Sequence, residues 1–271
     1  MSEPVRLAVL GDPLTYTLSP VLHRAGCAAL GLTCESQALR TAPEQLEQRL
    51  RDLAAAGCLG CNLTHPLKEH ALDHVAKASV SAERSRSVNT IAFREDGWWG
   101  ETTDGPGFVD LLRALHLDPE RQRVLLLGAG GAARSLALAL QWAGCPEVRV
   151  SARTKPQGAF EWGHGLDEQF LGWRSAEEDD ALSTSTVIVN GTPLSGEEAP
   201  APLARVARTA LVVDLTYGPE PTPWVREARA AGLHAIDGLG LLVHQARRSL
   251  SLWLGREVPL EPLAAAVGWP R

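Results

Sequence analysis

Amides, hydroxyls, one ammonium and one carboxylate gather at predicted strand ends in the first half of this chain. The segment Asn62-Leu63-Thr64-His65-Pro66-Leu67-Lys68 closes a short apolar run, Cys58 to Leu63, and leads into a helical pattern predicted from Lys68 to Ala78. Asn62 and Thr64 offer donors and acceptors at that edge, and Pro66 sets the exit angle without a backbone N–H. Lys68 then puts a cation in what reads as the first turn of a helix, where free N–H groups already carry partial positive charge, so it wants a negative group opposite. Asp104, ahead of an amphipathic helix predicted over 108–115, is the obvious carboxylate to face it, and it also suits a helix cap. An ammonium steadied by a carboxylate can stabilise a developing alkoxide and protonate it.

Other polar residues surround this pair. Ser19 followed by Pro20 reads as a helix start, serine at the cap and proline at the first helical position. Capping does not explain Thr17, whose hydroxyl could point with that of Ser19 into one mouth. Asn89 interrupts a short apolar strand, Ser87 to Phe93, and either forms a turn or contacts a ligand. Gln245 flanks the apolar stripe Leu242, Ala246, Leu250 and Trp253 of a helix predicted over 239–254, where it reaches a cleft or faces solvent.

The second half carries a different signal. Arg123 to Leu127 is a continuous apolar strand, followed by Gly128-Ala129-Gly130-Gly131-Ala132-Ala133 and a helix predicted over 132–143. Gly128, Gly130 and Ala133 fit the G-x-G-x-x-G/A spacing, which presents backbone N–H groups and a helix N-terminus to a pyrophosphate. The next strand, Glu147 to Ser151, ends in Ala152-Arg153-Thr154-Lys155 instead of an acidic residue. Two cations and a hydroxyl suit the 2′-phosphate of NADP(H) better than the free ribose hydroxyls of NAD. A hydride carrier beside a proton donor implies reversible oxidation of an alcohol to a ketone.

The elements that must hold these groups alternate between strand and helix. Strands are predicted at Val5–Gly11, Cys34–Leu39 and into Asn62, with helices after Pro20 and over 43–56. Polar residues and Pro119 separate a new pattern near 117–123. Further apolar strands follow at 186–190, 210–214 and 233–236, with a helix over 224–231, as a doubly wound parallel sheet requires. Residues 156–175 show no clear period and read as loop or irregular helix.

Composition narrows the partners. With 45% hydrophobic and 21% charged residues and a net charge of −6, the 271-residue chain is a globular α/β protein for which nucleic acid is not expected as a general partner. No apolar run reaches membrane-spanning length and no secretory leader opens the chain, so a cytoplasmic location is expected. The five cysteines lie in apolar surroundings, as reduced thiols do. Cys58-Leu59-Gly60-Cys61 has metal or redox spacing but no second pair, and none of the eight histidines forms an HExxH pattern, so no metal is expected.

Thr17-Leu18-Ser19-Pro20 with His23, the Asn62–Lys68 segment, Val88-Asn89-Thr90, Thr103-Asp104-Gly105, the glycine loop, Arg153-Thr154, Asp214-Leu215-Thr216-Tyr217-Gly218-Pro219 and Gly238-Leu239-Gly240 with Gln245 together resemble the shikimate dehydrogenase family. The resemblance implies NADPH-dependent reduction of 3-dehydroshikimate to shikimate, a step of aromatic amino acid and chorismate biosynthesis. It implies an N-terminal α/β substrate domain over 1–106, a Rossmann-type doubly wound NADP-binding domain over 107–236, and C-terminal helices over 237–271 returning to the substrate domain. Lys68 and Asp104 match the catalytic pair; Thr17, Ser19, Asn62, Thr64, Asn89, Tyr217 and Gln245 match the substrate site. Gly128, Ala129, Gly130, Gly131, Ala132, Arg153, Thr154, Lys155 and Gly238 match the cofactor site. Thr17 and Thr102 depart from the usual serine and asparagine, and Ala152 from an asparagine before the Arg-Thr pair. Those departures keep two alternatives open, a quinate/shikimate dehydrogenase using NAD and a catalytically silent paralogue that senses the metabolite or NADP(H). A monomer or a homodimer is compatible with the sequence.

Overall fold

The computed structural model describes residues 3–154, 169–194 and 198–271. The chain condenses into two compact units, Met1–Gly107 with Leu242–Arg271, and Phe108–Leu241. In the first unit β1 (Val5–Gly11) is followed by α1 (Ser19–Ala29), β2 (Cys34–Arg40), α2 (Leu46–Ala55), β3 (Gly60–Leu63), β4 (Lys77–Ala78), α3 (Val80–Ser85), β5 (Thr90–Ala92) and β6 (Trp99–Glu101), and α4 (Asp104–Ala114) starts there. The strands form one mixed sheet in the order β2-β1-β3-β5-β6-β4. β1 is parallel to β2 and β3, whereas β5 runs antiparallel to both β3 and β6. Leu46, Leu50 and Leu53 recur at helical spacing on α2 and close the core with Leu10, Cys61, Leu63, Leu67 and Ile91. β3 is buried along its whole length, so Asn62 is an amide inside an apolar layer.

Three local expectations change. The helix expected from Lys68 to Ala78 does not form: Ala71–His74 makes a single 3₁₀ turn and Lys77–Ala78 joins the sheet. Its backbone groups are claimed from outside, because Lys68 O accepts the Val88 N–H at 2.8 Å and the N–H groups of Ala76 and Lys77 donate to Trp98 O at 3.0 and 3.3 Å. Lys68 therefore lies in a turn and meets no helix dipole. α1 begins at Ser19 itself, with Leu18 as the cap residue and no side-chain cap bond; the Ser19 N–H instead donates to Thr17 Oγ1 at 3.2 Å. Leu18 O already accepts from Val21 and Leu22, which moves the helix start one residue earlier and frees the Ser19 hydroxyl from capping. α4 begins at Asp104 instead of 108, since Thr103 O accepts the Gly107 N–H at 2.9 Å. Asp104 thus occupies a first turn, where the helix dipole favours its charge.

The second unit contains β7 (Arg123–Leu127), α5 (Gly131–Trp142), β8 (Glu147–Ala152), β9 (Phe170–Gly172), α6 (Ala176–Thr184), β10 (Val187–Asn190), β11 (Leu211–Asp214), α7 (Pro223–Ala230) and β12 (His234–Ile236). α8 (Leu239–Leu254) begins in this unit and ends in the first, which also holds α9 (Leu260–Val267). All six strands are parallel, ordered β9-β8-β7-β10-β11-β12. Numbered from β7, that order is 3-2-1-4-5-6, the doubly wound dinucleotide-binding arrangement with its switch point between β7 and β10. β9 lies inside the stretch expected to be irregular; Phe170–Gly172 pair with Val150–Ala152 of β8 and extend the sheet. Among the described residues, no helix is long and apolar enough to cross a membrane, and no cluster of His, Cys, Asp or Glu could hold a metal ion.

Candidate active site

In the first unit the turn after β3 delivers Lys68 and the first turn of α4 delivers Asp104. Lys68 Nζ lies 2.6 Å from Asp104 Oδ2, and the side chains are 18% and 7% exposed, so the pair is largely withdrawn from water while the ammonium retains an opening. Asp104 Oδ1 accepts from Asn89 Nδ2 at 2.9 Å. The other Asn89 amide hydrogen goes to Thr103 Oγ1 at 2.9 Å, and Asn89 Oδ1 accepts the Thr103 N–H at 2.8 Å. Asn89 is 2% exposed, so its amide serves to fix the Asp104 turn.

Behind the pair runs a buried polar seam. Asn62 Nδ2 lies 3.1 Å from the Asn89 carbonyl oxygen, 3.0 Å from Thr90 Oγ1 and 3.1 Å from Ser249 Oγ. A carbonyl can only accept, which orients the Asn62 amide and turns its Oδ1 toward His23 Nε2 at 2.9 Å. His23 Nε2 therefore carries the proton, and Nδ1 accepts from the Ser36 hydroxyl at 2.8 Å. Burial lowers the His23 pKa to about 4, against the opposing pull of the Asn62 bond, which keeps the ring neutral. Ser249 Oγ meets Thr90 Oγ1 at 2.8 Å and Thr103 Oγ1 at 3.2 Å and donates to Gln245 O at 3.1 Å. Gln245 is buried; its Nε2 donates to Leu242 O at 2.9 Å, and its Oε1 lies 3.4 Å from Asn89 Nδ2 and Thr103 Oγ1.

Lys68, Asp104, Asn89, Asn62 and Gln245 are thus one connected network. Thr17 and Ser19 share the turn into α1. Thr64 stands at the end of β3, its N–H on Leu10 O at 2.9 Å and its methyl against Gly11, where a Cβ would not fit. Tyr217 belongs to the second unit. The sequence pattern does not single out Thr90, Thr103 or Ser249 as site residues. Ser249 carries one usable signal, its place one helical turn after Gln245 on α8.

The second unit holds the glycine loop. Gly128 has φ +100°, and a Cβ there would lie 3.0 Å from Thr192 Cγ2 and 3.1 Å from Gly191 C at the switch point. Gly130, the cap residue of α5, has φ −73°, and beyond its chain neighbours no atom of the described residues lies within 4 Å of where its Cβ would stand. Neither backbone nor packing demands glycine at 130, so the clearance suits a phosphate approaching the N–H groups of Gly131 and Ala132. Ala129 lies between the two glycines. A cavity of about 210 Å³ opens beside the loop, lined by Gly128, Ala152, Arg153, Trp173 and Thr192-Pro193-Leu194, with Arg153 its only charged wall among the described residues. Thr154 follows Arg153, and Lys155 lies outside the described residues. Asn190 Oδ1 holds the Thr192 N–H and hydroxyl at 2.9 and 2.6 Å, and Asn190 Nδ2 donates to Asp214 Oδ1 at 3.1 Å. Burial pushes the Asp214 carboxyl above the usual carboxylate range, offset by bonds from Thr222, the Thr216 backbone and Asn190. Gly238 has a backbone reason to be glycine: a Cβ would fall on the Leu215 carbonyl.

Known proteins resemble this chain along nearly its whole length. The profile of the shikimate dehydrogenase substrate binding domain matches residues 9–91, and that of the shikimate 5′-dehydrogenase C-terminal domain matches 238–267. The shikimate dehydrogenase (NADP(+)) of Microcystis aeruginosa is 35% identical over 96% of this chain and 95% of its own. The chain belongs to the shikimate dehydrogenase family. The Thermosynechococcus vestitus shikimate dehydrogenase (NADP(+)) is 36% identical over 96% of this chain and 94% of its own. Among solved family structures, Thermus thermophilus shikimate 5-dehydrogenase in complex with NADP(H) and shikimate superposes with a TM-score of 0.85 at 35% identity, covering 97% of this chain and 98% of that one.

Proposed function

We propose that this chain catalyses the reversible reduction of 3-dehydroshikimate to shikimate with NADPH, the first unit holding the substrate and the second the dinucleotide. The observation that carries this reading is the Lys68 ammonium held 2.6 Å from a buried carboxylate, in a chain that also has a glycine loop at the switch point of a doubly wound sheet. NADPH, when bound, supplies a hydride to the carbonyl carbon. Lys68 Nζ donates a proton to the oxygen on which charge develops, and Asp104 keeps the ammonium aimed. Asn89 and the first turn of α4 hold Asp104 in place. Oxidation of the alcohol releases a proton, so that direction gains from alkaline pH.

Thr17, Ser19 and Thr64 offer hydroxyls for the substrate's carboxylate and ring hydroxyls, with Gln245 beside them in the first unit, and Tyr217 is kept as a substrate-site position on the family resemblance alone. Asn62 supports them from beneath, its amide already engaged. Gly128 to Ala132 take the pyrophosphate, while Arg153 and Thr154 take the 2′-phosphate. Five free thiols suit the reducing cytoplasm.

Following NADPH absorbance with 3-dehydroshikimate, then with NADH, and the reverse reaction with shikimate and quinate, tests the assignment. Turnover with NADPH and shikimate at the higher kcat/KM is expected. Preference for quinate and NAD would move the chain to the alternative substrate and cofactor, and binding without turnover would sink the enzymatic reading.

A further inference from the structure

The residue after β9 stands beside the residue after β8, because Ala152 pairs with Gly172 in parallel register. Arg153 and Trp173 are therefore brought together by the sheet, and both line the cavity beside the glycine loop. Arg153 Cζ lies 6.0 Å from the Trp173 ring centroid and Arg174 Cζ 5.9 Å, so one indole gathers two guanidinium groups. Arg153 borders the cavity beside a loop built for phosphates, and Arg174 stands next to it across Trp173, at the rim of a neighbouring cavity it shares with Glu178, Glu198 and Arg205.

The turn that presents Arg174 is held in a costly conformation. The Ser175 N–H donates to Gly172 O at 3.2 Å, which places Trp173 and Arg174 at the tip of a four-residue turn. Arg174 has φ +57°, a region that glycine occupies freely and an arginine does not. Its N–H is pinned at 2.9 Å by Glu178 Oε2, a carboxylate only 1% exposed that also takes the Ser151 hydroxyl. A buried carboxylate thus stabilises a non-glycine residue where glycine would fold with less strain, which marks the side chain as the useful part.

We infer that the Trp173-Arg174 turn is the outer half of the adenosine 2′-phosphate site: Trp173 walls the adenosine and Arg174 supplies the second cation, opposite Arg153. This inference rests on the NADP reading of the second unit. Two guanidinium groups match a phosphate dianion in number and geometry. Arg153 Nη2 stands 3.9 Å from Glu198 Oε2, an exposed contact that a phosphate displaces readily.

Calorimetric titration with adenosine 2′,5′-bisphosphate and with AMP tests this without turnover. The unmodified protein should prefer the bisphosphate. Arg174→Gln should narrow that preference about ten- to hundredfold, as loss of a charge-assisted bond does, and leave AMP affinity unchanged. Trp173→Ala should weaken both nucleotides alike. Arg174→Gly relaxes the backbone, so it should fold at least as well and still lose the preference. If Arg174→Gln and Arg174→Gly keep the full preference while Arg153→Gln loses it, the inference fails and the NADP reading stands. If the unmodified protein does not distinguish the two nucleotides, both fail.

Discussion

At the residue scale, the types of the catalytic candidates are legible in the sequence, but their geometry is not. The sequence pattern sets Lys68 against a helix dipole that does not exist at that position. A facing carboxylate is there for another reason: the turn after β3 points Lys68 at the first turn of α4. Asn62, Asn89 and Gln245 read as groups reaching into a pocket; each also bonds to its neighbours in the protein, a network that no sequence pattern reveals. An exposed ion pair is worth little, but here both partners are largely buried, and Asp104 keeps the Asn89 amide and the helix start when the lysine is lost. Lys68→Ala should therefore fold and lower kcat by about two to four powers of ten with a much smaller change in KM, as expected for a positioned acid. Steady-state kinetics with 3-dehydroshikimate decides; a rise in KM alone would make Lys68 a binding residue.

At the element scale, long apolar strands and the glycine loop can be read directly, because periodicity and spacing are local properties. Arg123 to Leu127, the helix after the loop, β10 and β11 lie within a residue or two of their expected bounds. The helix expected after Lys68 fails because β6 competes for its N–H groups, a non-local contact that no window of sequence reveals. β9 is hidden because three residues are too few to show a period, although Ser175-Ala176-Glu177-Glu178 just after it carries a readable helix start: Ser175 Oγ accepts from Glu178 N at 3.2 Å. Gly238 stands out by type, yet the reason for a glycine there is structural. Gly238→Ala should drive a methyl into the Leu215 backbone and cost about 1–3 kcal/mol, read as a lower denaturant midpoint at unchanged slope. An unchanged midpoint would return Gly238 to a purely cofactor-facing role.

At the scale of the whole molecule, α/β alternation foretells sheets flanked by helices, but not that one sheet is mixed and the other wholly parallel; strand order emerges only from pairing. Stability as a function of pH is also a whole-chain property. The native His23 ring resists protonation down to about 4, against an ordinary 6.5, so between those values the unfolded chain binds a proton that the fold refuses. That contribution is complete above the ordinary value and drains away as pH falls toward 4, by on the order of 3 kcal/mol. Asp214 acts in the opposite sense, since its raised pKa makes acid relieve a buried charge. Unfolding free energy should fall between neutral pH and pH about 4 with the His23 slope. His23→Gln should be less stable overall but flatter across that window; an equally steep curve in the variant would remove His23 as the cause.

The seam joining His23, Asn62, Thr90, Thr103 and Ser249 has a consequence for how such a protein can evolve. Its members come from α1, β3, β5, the lead into α4, and α8, and each meets the buried valences of others. A single replacement orphans a donor or acceptor elsewhere in the seam, so the cost of one change depends on which others have been made. Lineages that alter these positions should do so in concert, and residues far apart along the chain should covary as one inherited block.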